Sequence, residues 1–583
     1  MRTKKHDSIQ SSVPNRSEGV RCSAANSLTS DWTGFAVPAG NISWRPRGKA
    51  TAVWCCVRGT YLAPMTKPTR KPNILFIMTD QQRYDAVGVN GIQTIRTPNL
   101  DALARSGVNL HRYYVNAPVC VPSRTSLFTG RYLHAHRVRE NHTFIEADRE
   151  IHLFRALKHA GYALGYIGKN HLLENEEFDN FEYADVWGHT HEPTPEEKAV
   201  DDFGKSRGKP MLERGAWAGA TFHDLPPEHT RPFVKASSAI RFLEQRPTDK
   251  PFCLCLSFSD PHAPHIALRK YESVYPLESM PLHPTREGEL ARKATRFMVK
   301  WRASQADKAT DEDRRRFMAV YFAMISWVDE QIGRVLESLR EHDLEDNTIV
   351  VFTTDHGEFC FDHGMVKKDL VLLDSLLHVP FFISWPRTLR ARDEREAIIE
   401  EVDVLPTLLE LAGVKPPLGV QGVSFAPLLR GEHAGHKDAV YAEICPPWLY
   451  NPFDTYEEFA SDWQAKHDGP HPFNVIGDFN KSVRERDYRY TWYGSGEEEL
   501  YDHRVDPHEW HNLAADPAYA DTRLRLKLRL LEWNALSEDP LDPITIRQMQ
   551  QEYGQWRGGR VSPGKLHGPE WLKCRETPNP RRL

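Results

Sequence analysis

The sequence predicts an α/β protein: a large, mostly parallel sheet sandwiched by helices, with a smaller C-terminal α+β domain. Three observations carry this. Apolar runs of strand length recur from Asn73 to Trp385, amphipathic helix-length patterns separate them, and beyond about residue 435 the runs become short and aromatic. Parallel strands read as unbroken apolar runs because helices cover both faces. With 583 residues, 40% apolar and 27% charged, the chain can bury one large core plus a smaller one, and it is neither disordered nor fibrous in composition.

The elements follow in order. "NILFIMT" (73–79) reads as a buried strand. "PNLDALARSG" (98–107) reads as a helix, with Pro98 in its first turn and Gly107 at its end. A short helix is expected from about Ser123 to Arg131, closed by Gly130. "EIHLFRALKHAGY" (150–162) is a helix and "ALGYIG" (163–168) a strand. "SSAIRFLEQR" (237–246) precedes the strand "FCLCLSFS" (252–259). The amphipathic run 316–342 precedes the strand "NTIVVFTT" (347–354), and "VPFFISWP" (379–386) adds one more. Two polar tracts, roughly 185–235 and 262–312, are long for loops and are expected to be insertions near a working surface. Past 435, "DAVYAEI", "DYRYTWYG" and "EELYDH" read as antiparallel strands and "DTRLRLKLRLLEWNALS" as a closing helix. The expected organisation is a disordered or non-native extension over 1–70, a catalytic α/β domain over 71–434 and a smaller α+β subdomain over 435–583.

Formal net charge is -5, so nothing global points to nucleic acid or an anionic membrane as partner. Residues 1–70 are nonetheless basic, with 11 Lys and Arg against 3 Asp and Glu. No apolar run reaches transmembrane length. "TAVWCCVRGTYLAPM" is broken by Arg58 and makes a poor signal peptide, so Met65 reads as the natural start and cytoplasmic residence is expected. The nine cysteines are odd in number and show no disulfide or zinc-finger spacing beyond Met65, which favours reduced thiols.

In open parallel sheets, ligands sit beyond the carboxyl ends of the strands. After "NILFIMT" come Asp80 and Gln81; after "NTIVVFTT" come Asp355 and His356. Two carboxylates, an imidazole and an amide oxygen suit a hard or borderline divalent cation. Lys169 and His171 follow the strand 163–168, His262 follows 252–259, and Lys368 lies downstream of Asp355. Together they would form a pocket for a compact oxyanion. Cys120, at the mouth of its helix in "APVCVPSRTSLFTGRY", could be a buried filler, a nucleophile or the precursor of something else. A thiolate matches a hard cation and an oxyanion substrate poorly, whereas an oxygen nucleophile derived from it would match well.

These residues carry a family likeness. "CVPSR" (120–124), continuing into "TSLFTGRY", resembles the Cys-x-Pro-x-Arg signature of the sulfatases within the alkaline phosphatase superfamily. "GYIGKNHL" and "TTDHGEFCFDHGMVKK" resemble that family's Gly-Lys-x-His and later metal-and-lysine segments, and "DVLPTLLELAG", "GVSFAPLLRGE" and "ELYDHRVDPHEWHNLA" its C-terminal landmarks. The resemblance implies an alkaline phosphatase-like fold and a sulfuric ester hydrolase. It further implies that a formylglycine-generating enzyme oxidises Cys120 to formylglycine (3-oxoalanine), whose hydrate would be the nucleophile. Asp80, Gln81, Asp355 and His356, with residue 120, would hold one divalent cation, usually Ca2+, with Mg2+ or Mn2+ as alternatives. Many members carry Asp in place of Gln81 and Asn in place of His356. Arg124 would hold the hydrate and help balance its charge. Lys169 and Lys368 would clamp sulfate oxygens, with Lys367 as the rival to Lys368. His171 would assist breakdown of the covalent intermediate, and His262 would protonate the leaving alcohol. The substrate would be a small-molecule or carbohydrate sulfate ester.

The enzymatic rival is a phosphonate monoester or phosphodiester hydrolase, which shares the formylglycine and the Asp-Gln/Asp-His pattern. Those relatives tend to replace the Lys-x-His pair with hydroxyl residues, so Lys169 and His171 favour sulfate. A non-catalytic binder of sulfated glycans would have lost the nucleophile or a metal carboxylate, and neither is lost. Trp448, Tyr450 and Trp463, in the aromatic segment 445–464, could line the pocket or pack the small domain.

Overall fold

The computed structural model describes residues 70–444 and 479–556, apart from 142, 188, 284, 287, 369, 370 and 555. The expected extension up to residue 69, the segment 445–464 with Trp448, Tyr450 and Trp463, and Cys574 lie outside the described residues. The described cysteines, Cys120, Cys253, Cys255 and Cys360, are free thiols. No helix among the described residues is long and apolar enough to cross a membrane.

Eight strands form the main sheet: β1 (Asn73–Asp80), β2 (Val108–Leu110), β3 (Ala163–Gly168), β4 (Tyr183–Val186), β5 (Phe252–Pro261), β6 (Thr348–Thr354), β7 (Phe382–Ser384) and β8 (Arg392–Glu394). Their order is β8-β2-β7-β6-β1-β5-β3-β4. Only β7 runs against the rest. β1 is central, with Ile74 paired to Cys253 on one side and Ile349 on the other.

The sandwich follows from strand alternation. Ile74, Phe76 and Met78 join a core with Leu127, Phe128, Phe154, Leu157, Leu405 and Leu408, from helices Cys120–Thr129, Leu153–His159 and Val404–Leu411. Leu75 and Ile77 point the other way, into a core with Leu100, Phe242, Val328 and Ile332, from helices Pro98–Ser106, Arg231–Gln245 and Asp311–Glu341. Every residue of β1 is buried, which is why its sequence shows no polar alternation.

Three helix starts differ from expectation for local reasons. The Asp311 helix begins early because Thr310 and Asp313 form a capping box. The Arg231 helix begins with Pro232 in its first turn. The Cys120 helix begins at Cys120 rather than near Ser123 and ends at Thr129. Ser123 is no cap: its hydroxyl oxygen lies 2.5 Å from the Asp355 carbonyl oxygen and 2.6 Å from Glu401 Oε1. Gly130 closes the helix in the left-handed conformation, at φ 65°.

The two polar tracts are folded. They carry helices Pro195–Ser206, Gly208–Arg214 and Thr295–Ser304, and strands Thr221–His223 and Ile266–Leu268 pair with each other. Beyond residue 435, β9 (Ala439–Ile444), β10 (Asn480–Glu485), β11 (Tyr488–Tyr493) and β12 (Glu498–Asp502) make an antiparallel sheet in chain order. Helix Ala520–Leu536 covers it through Leu526, Leu530 and Trp533. A last helix, Pro543–Tyr553, returns Met549 and Tyr553 to the core of the large sheet.

Candidate active site

Five chemistry-bearing residues stand where strands of the main sheet end. Asp80 closes β1, Asp355 and His356 follow β6, Lys169 follows β3, and His262 follows β5. The chain turns sharply at Gln81, whose φ of 69° is held by Tyr321, the phenol donating to the Gln81 carbonyl at 2.8 Å. Gly168 lets β3 pass close to β5: a Cβ there would meet the Ser257 carbonyl oxygen at 1.9 Å. That approach permits the Lys169 amide to donate to the same oxygen at 2.8 Å, fixing where the lysine begins.

The Cys120 helix is buried at all ten positions and runs into this edge. Cys120 Sγ lies 2.8 Å from Lys368 Nζ, 3.3 Å from His356 Nε2, 3.8 Å from Lys169 Nζ and 3.9 Å from Asp80 Oδ1. Ligand atoms of Asp80, Cys120, Asp355 and His356 all lie within 4.8 Å of one another, and all four residues are buried. Lys169 pairs with Asp80. Lys368 Nζ is also 2.9 Å from His356 Nε2, while His356 Nδ1 donates to the Gly357 carbonyl at 2.9 Å. Lys368, not its neighbour Lys367, is the lysine placed on the thiol. Arg124 Nε donates to Asp355 Oδ2 at 2.8 Å and Nη2 to Asp80 Oδ2 at 3.3 Å. Its Nη1 reaches Ser257 Oγ at 2.8 Å and the Lys169 and Asn170 carbonyls at 3.2 Å each. Arg124 therefore ties the two carboxylates to the lysine loop.

The electrostatics match the geometry. Burial and the Asp80 charge oppose ionisation of Cys120, yet Lys169, Lys368 and His356 bring its thiol down to about 6. Burial also opposes the Asp80 charge, but Lys169 and the neighbouring cations hold that carboxyl well below its usual range. Asp355 moves the other way, pushed up by burial and by the Asp80 charge. Two carboxylates sharing one site repel, and a divalent cation between them would relieve it. His262 is driven well below the usual imidazole range by burial and by Lys368 and Lys169; its Nδ1 donates to the Ala263 carbonyl at 2.8 Å. His171 is driven the same way by burial, Lys169 and Arg124, and its buried Nδ1 has no hydrogen-bond partner among the described residues.

Two buried carboxylates support the site without having been singled out in the sequence. Glu358 accepts from Gln81 Nε2 and from the Lys367 and Cys360 amides. Anchoring Nε2 leaves the other amide atom of Gln81, its oxygen, as the donor for a cation. Glu401 accepts from Ser123 Oγ and, at 3.1 Å, from the Asn116 amide. The only signal for Glu358 was its place in "DHGEF", directly after the paired ligands; Glu401 gave none.

Two cavities open beside the cluster, with His262 in the wall of both. One, of about 380 Å³, is bordered by Lys169, His171 and Trp187. The other, of about 360 Å³, is bordered by Gln81, Lys368, Lys367 and Lys205. A second group of ligand-like residues, Asp374, His503 and Glu509, is already neutralised by Arg484 and Arg489.

Comparison with known proteins gives a consistent result. The sequence model of the family described as Sulfatase matches residues 72–414. "Uncharacterized sulfatase YidJ" of Escherichia coli K12 is 28% identical over 522 residues, covering 86% of this chain and 93% of that protein. "N-acetylglucosamine-6-O-sulfatase" of Bacteroides thetaiotaomicron is 25% identical over 528 residues, covering 80% and 87%. Among solved structures, the phosphonate monoester hydrolase of Agrobacterium radiobacter superposes with a TM-score of 0.64 at 25% identity, covering 80% of this chain and 96% of that one.

Proposed function

The chain belongs to the sulfatase family and is a sulfuric ester hydrolase; from that premise we propose that it cleaves a sulfated carbohydrate with Cys120, converted to formylglycine, as nucleophile and one divalent cation beside it. The carbohydrate is suggested by the N-acetylglucosamine-6-O-sulfatase relative. The observation that carries the proposal is the convergence of Asp80, His356, Lys169 and Lys368 on the side chain of residue 120.

The donor set fits the cation: two buried carboxylates, one imidazole and one amide oxygen, with Asp355 pushed up by burial and by the Asp80 charge. Asp80, Gln81, Asp355 and His356 would hold it, with Ca2+ as the first choice and Mg2+ or Mn2+ as alternatives. Bound there, a divalent ion would favour the ionised nucleophile and offset charge on the sulfate oxygens. Sγ marks the position that the formylglycine hydrate oxygens would take, and that hydrate supplies an oxygen nucleophile with a second hydroxyl for release of sulfate. A formylglycine-generating enzyme is the implied maturation partner.

The chain's own residues do the rest. Lys169 and Lys368 neutralise the nonbridging oxygens. Arg124 keeps both carboxylates and the Lys169 loop in register. His262 donates from Nε2, its Nδ1 proton being held by Ala263. Burial and the two ammonium groups keep it neutral in the free site, and the anionic ester would offset the ammonium charges and raise the basicity of His262 as substrate binds. His171, with its free Nδ1, accepts a proton from residue 120 as sulfate departs.

The test is mass spectrometry of the tryptic peptide spanning residues 113–124 from protein made in its own host, with turnover of a sulfate ester by the same sample. An aldehyde at residue 120 is expected; full activity with an intact thiol would overturn the proposal. A second reading, phosphonate monoester hydrolysis, is favoured by the structural likeness to the Agrobacterium enzyme. Faster turnover of a phenyl phosphonate ester than of 4-nitrophenyl sulfate would select it.

A further inference from the structure

The 360 Å³ cavity is large enough for a small ligand, and its border is unusual in charge. It is lined by Lys367, Lys368 and Lys205, with Gly204, Gly208 and Met211, and by no Asp or Glu among the described residues. Lys368 belongs to the cluster at residue 120. Lys367 does not, and it has no carboxylate partner among the described residues. Lys205 stands at the exposed rim, 3.3 Å from Asp202.

The backbone at Lys367 is left-handed, with φ 65°. Lysine adopts this conformation at a cost that glycine would avoid. The conformation is held from both sides: the Lys367 amide donates to Glu358, and its carbonyl accepts from the Phe359 amide at 3.1 Å. A strained position that keeps a long cationic side chain on a cavity wall calls for a use for that cation. Gly208, in the lining of the same cavity, has open space where a Cβ would stand, which leaves room for a ligand.

We propose that this cavity receives the alcohol half of the substrate, and that Lys367, with Lys205 at the rim, binds a second oxyanion carried by that alcohol. The preferred substrates are then acidic sulfate esters, with a carboxylate or a further sulfate beside the scissile one. His262 and Lys368 border the same cavity, which places the leaving oxygen at its inner end. The inference rests on the sulfatase reading above.

The test uses three aryl sulfates that differ only at the para position: a methyl ester, a carboxylate and a sulfonate. The quantity read is kcat/KM for each acidic ester relative to the neutral one, in the wild type, Lys367→Met and Lys367→Gly. Loss of one charge-assisted contact is expected to lower that ratio about tenfold, mostly through KM. Lys367→Gly should lose the ratio while melting no lower than the wild type, since glycine suits the backbone, which separates recognition from folding. A response to the carboxylate assigns uronate-like substrates, and a response to the sulfonate assigns multiply sulfated ones. Turnover of all three esters with ratios that stay within about twofold in both variants overturns the role of Lys367 alone. Failure of the fully matured wild type to turn over any of them overturns the sulfatase reading, and this inference with it.

Discussion

At the scale of single residues, the site is biased toward negative charge on residue 120. A buried thiol beside a carboxylate should resist ionisation, yet Lys169, Lys368 and His356 reverse that and bring it down to about 6. The same three groups would favour an ionised oxygen in its place. His262 is the complementary group, needed only where the leaving oxygen is a poor anion. Replacing it with alanine should therefore cost about 10² to 10³ in kcat for alkyl or sugar sulfates, and less than about tenfold for 4-nitrophenyl sulfate, whose phenolate leaves unaided. Equal losses for both ester classes would assign His262 to binding instead of proton donation.

At the scale of elements, two joints are open to test, one at the site and one at the small sheet. The first is the crossing of β3 and β5 at Gly168. A side chain there would collide with the Ser257 carbonyl at a backbone φ of 102°, so Gly168→Ala should destabilise the protein by about 3 kcal/mol or more and displace Lys169. Denaturant unfolding measures the first effect and kcat the second. The other joint is Glu443, at the end of β9. It accepts from the His134 amide at 3.0 Å and from Lys481 at 2.6 Å, and pairs with His134 Nδ1 at 2.6 Å. Burial opposes its charge, but His134 and Lys481 pull the carboxyl down to about 2. A depressed carboxyl stabilises the folded state above its unfolded value of 4.5, and that stabilisation is lost as pH falls toward 2. Glu443→Gln should thus cost on the order of 2 kcal/mol at about pH 6 and progressively less at about pH 3.5. A penalty independent of pH would show that packing, not ionisation, matters there. These joints also mark what the sequence could convey. β1, β5 and β6 were legible because burial on both faces leaves an unbroken apolar run. β10, with the sequence Asn480–Glu485, was not legible: Val483 is its single apolar residue, and its other buried positions, Asn480, Ser482 and Arg484, are polar, with Ser482 bonded to the Tyr490 carbonyl and Arg484 to Asp374. The paired ligands were legible as the residues just past two such runs. Glu358 and Glu401 were far less so, because the partners that tie them to the site, Gln81 and Ser123, lie 277 and 278 positions away.

At the scale of the whole molecule, the site gathers Asp80, Asp355, Arg124, His356 and Lys368 behind nearly complete burial. Clusters of buried charge add little net stability, because desolvation offsets most of the attraction. Here the arrangement joins the end of β6 to the end of β1 and to the first turn of the Cys120 helix, both more than 200 residues earlier in the chain. A divalent ion held by Asp80, Gln81, Asp355 and His356 would bridge the ends of both strands, so it should act as a structural tie as well as a chemical one. Stripping divalent ions from the matured protein should lower its melting temperature by a few degrees and abolish turnover, and Ca2+ at about a hundred times its dissociation constant should restore about 2.7 kcal/mol. Asp355→Asn should remove the calcium-dependent rise in melting temperature, while substitution of the arginine-neutralised Asp374, in the other ligand-like cluster, should leave that rise in place. Identical melting curves in chelator and in calcium would place the ion, if any, outside this junction.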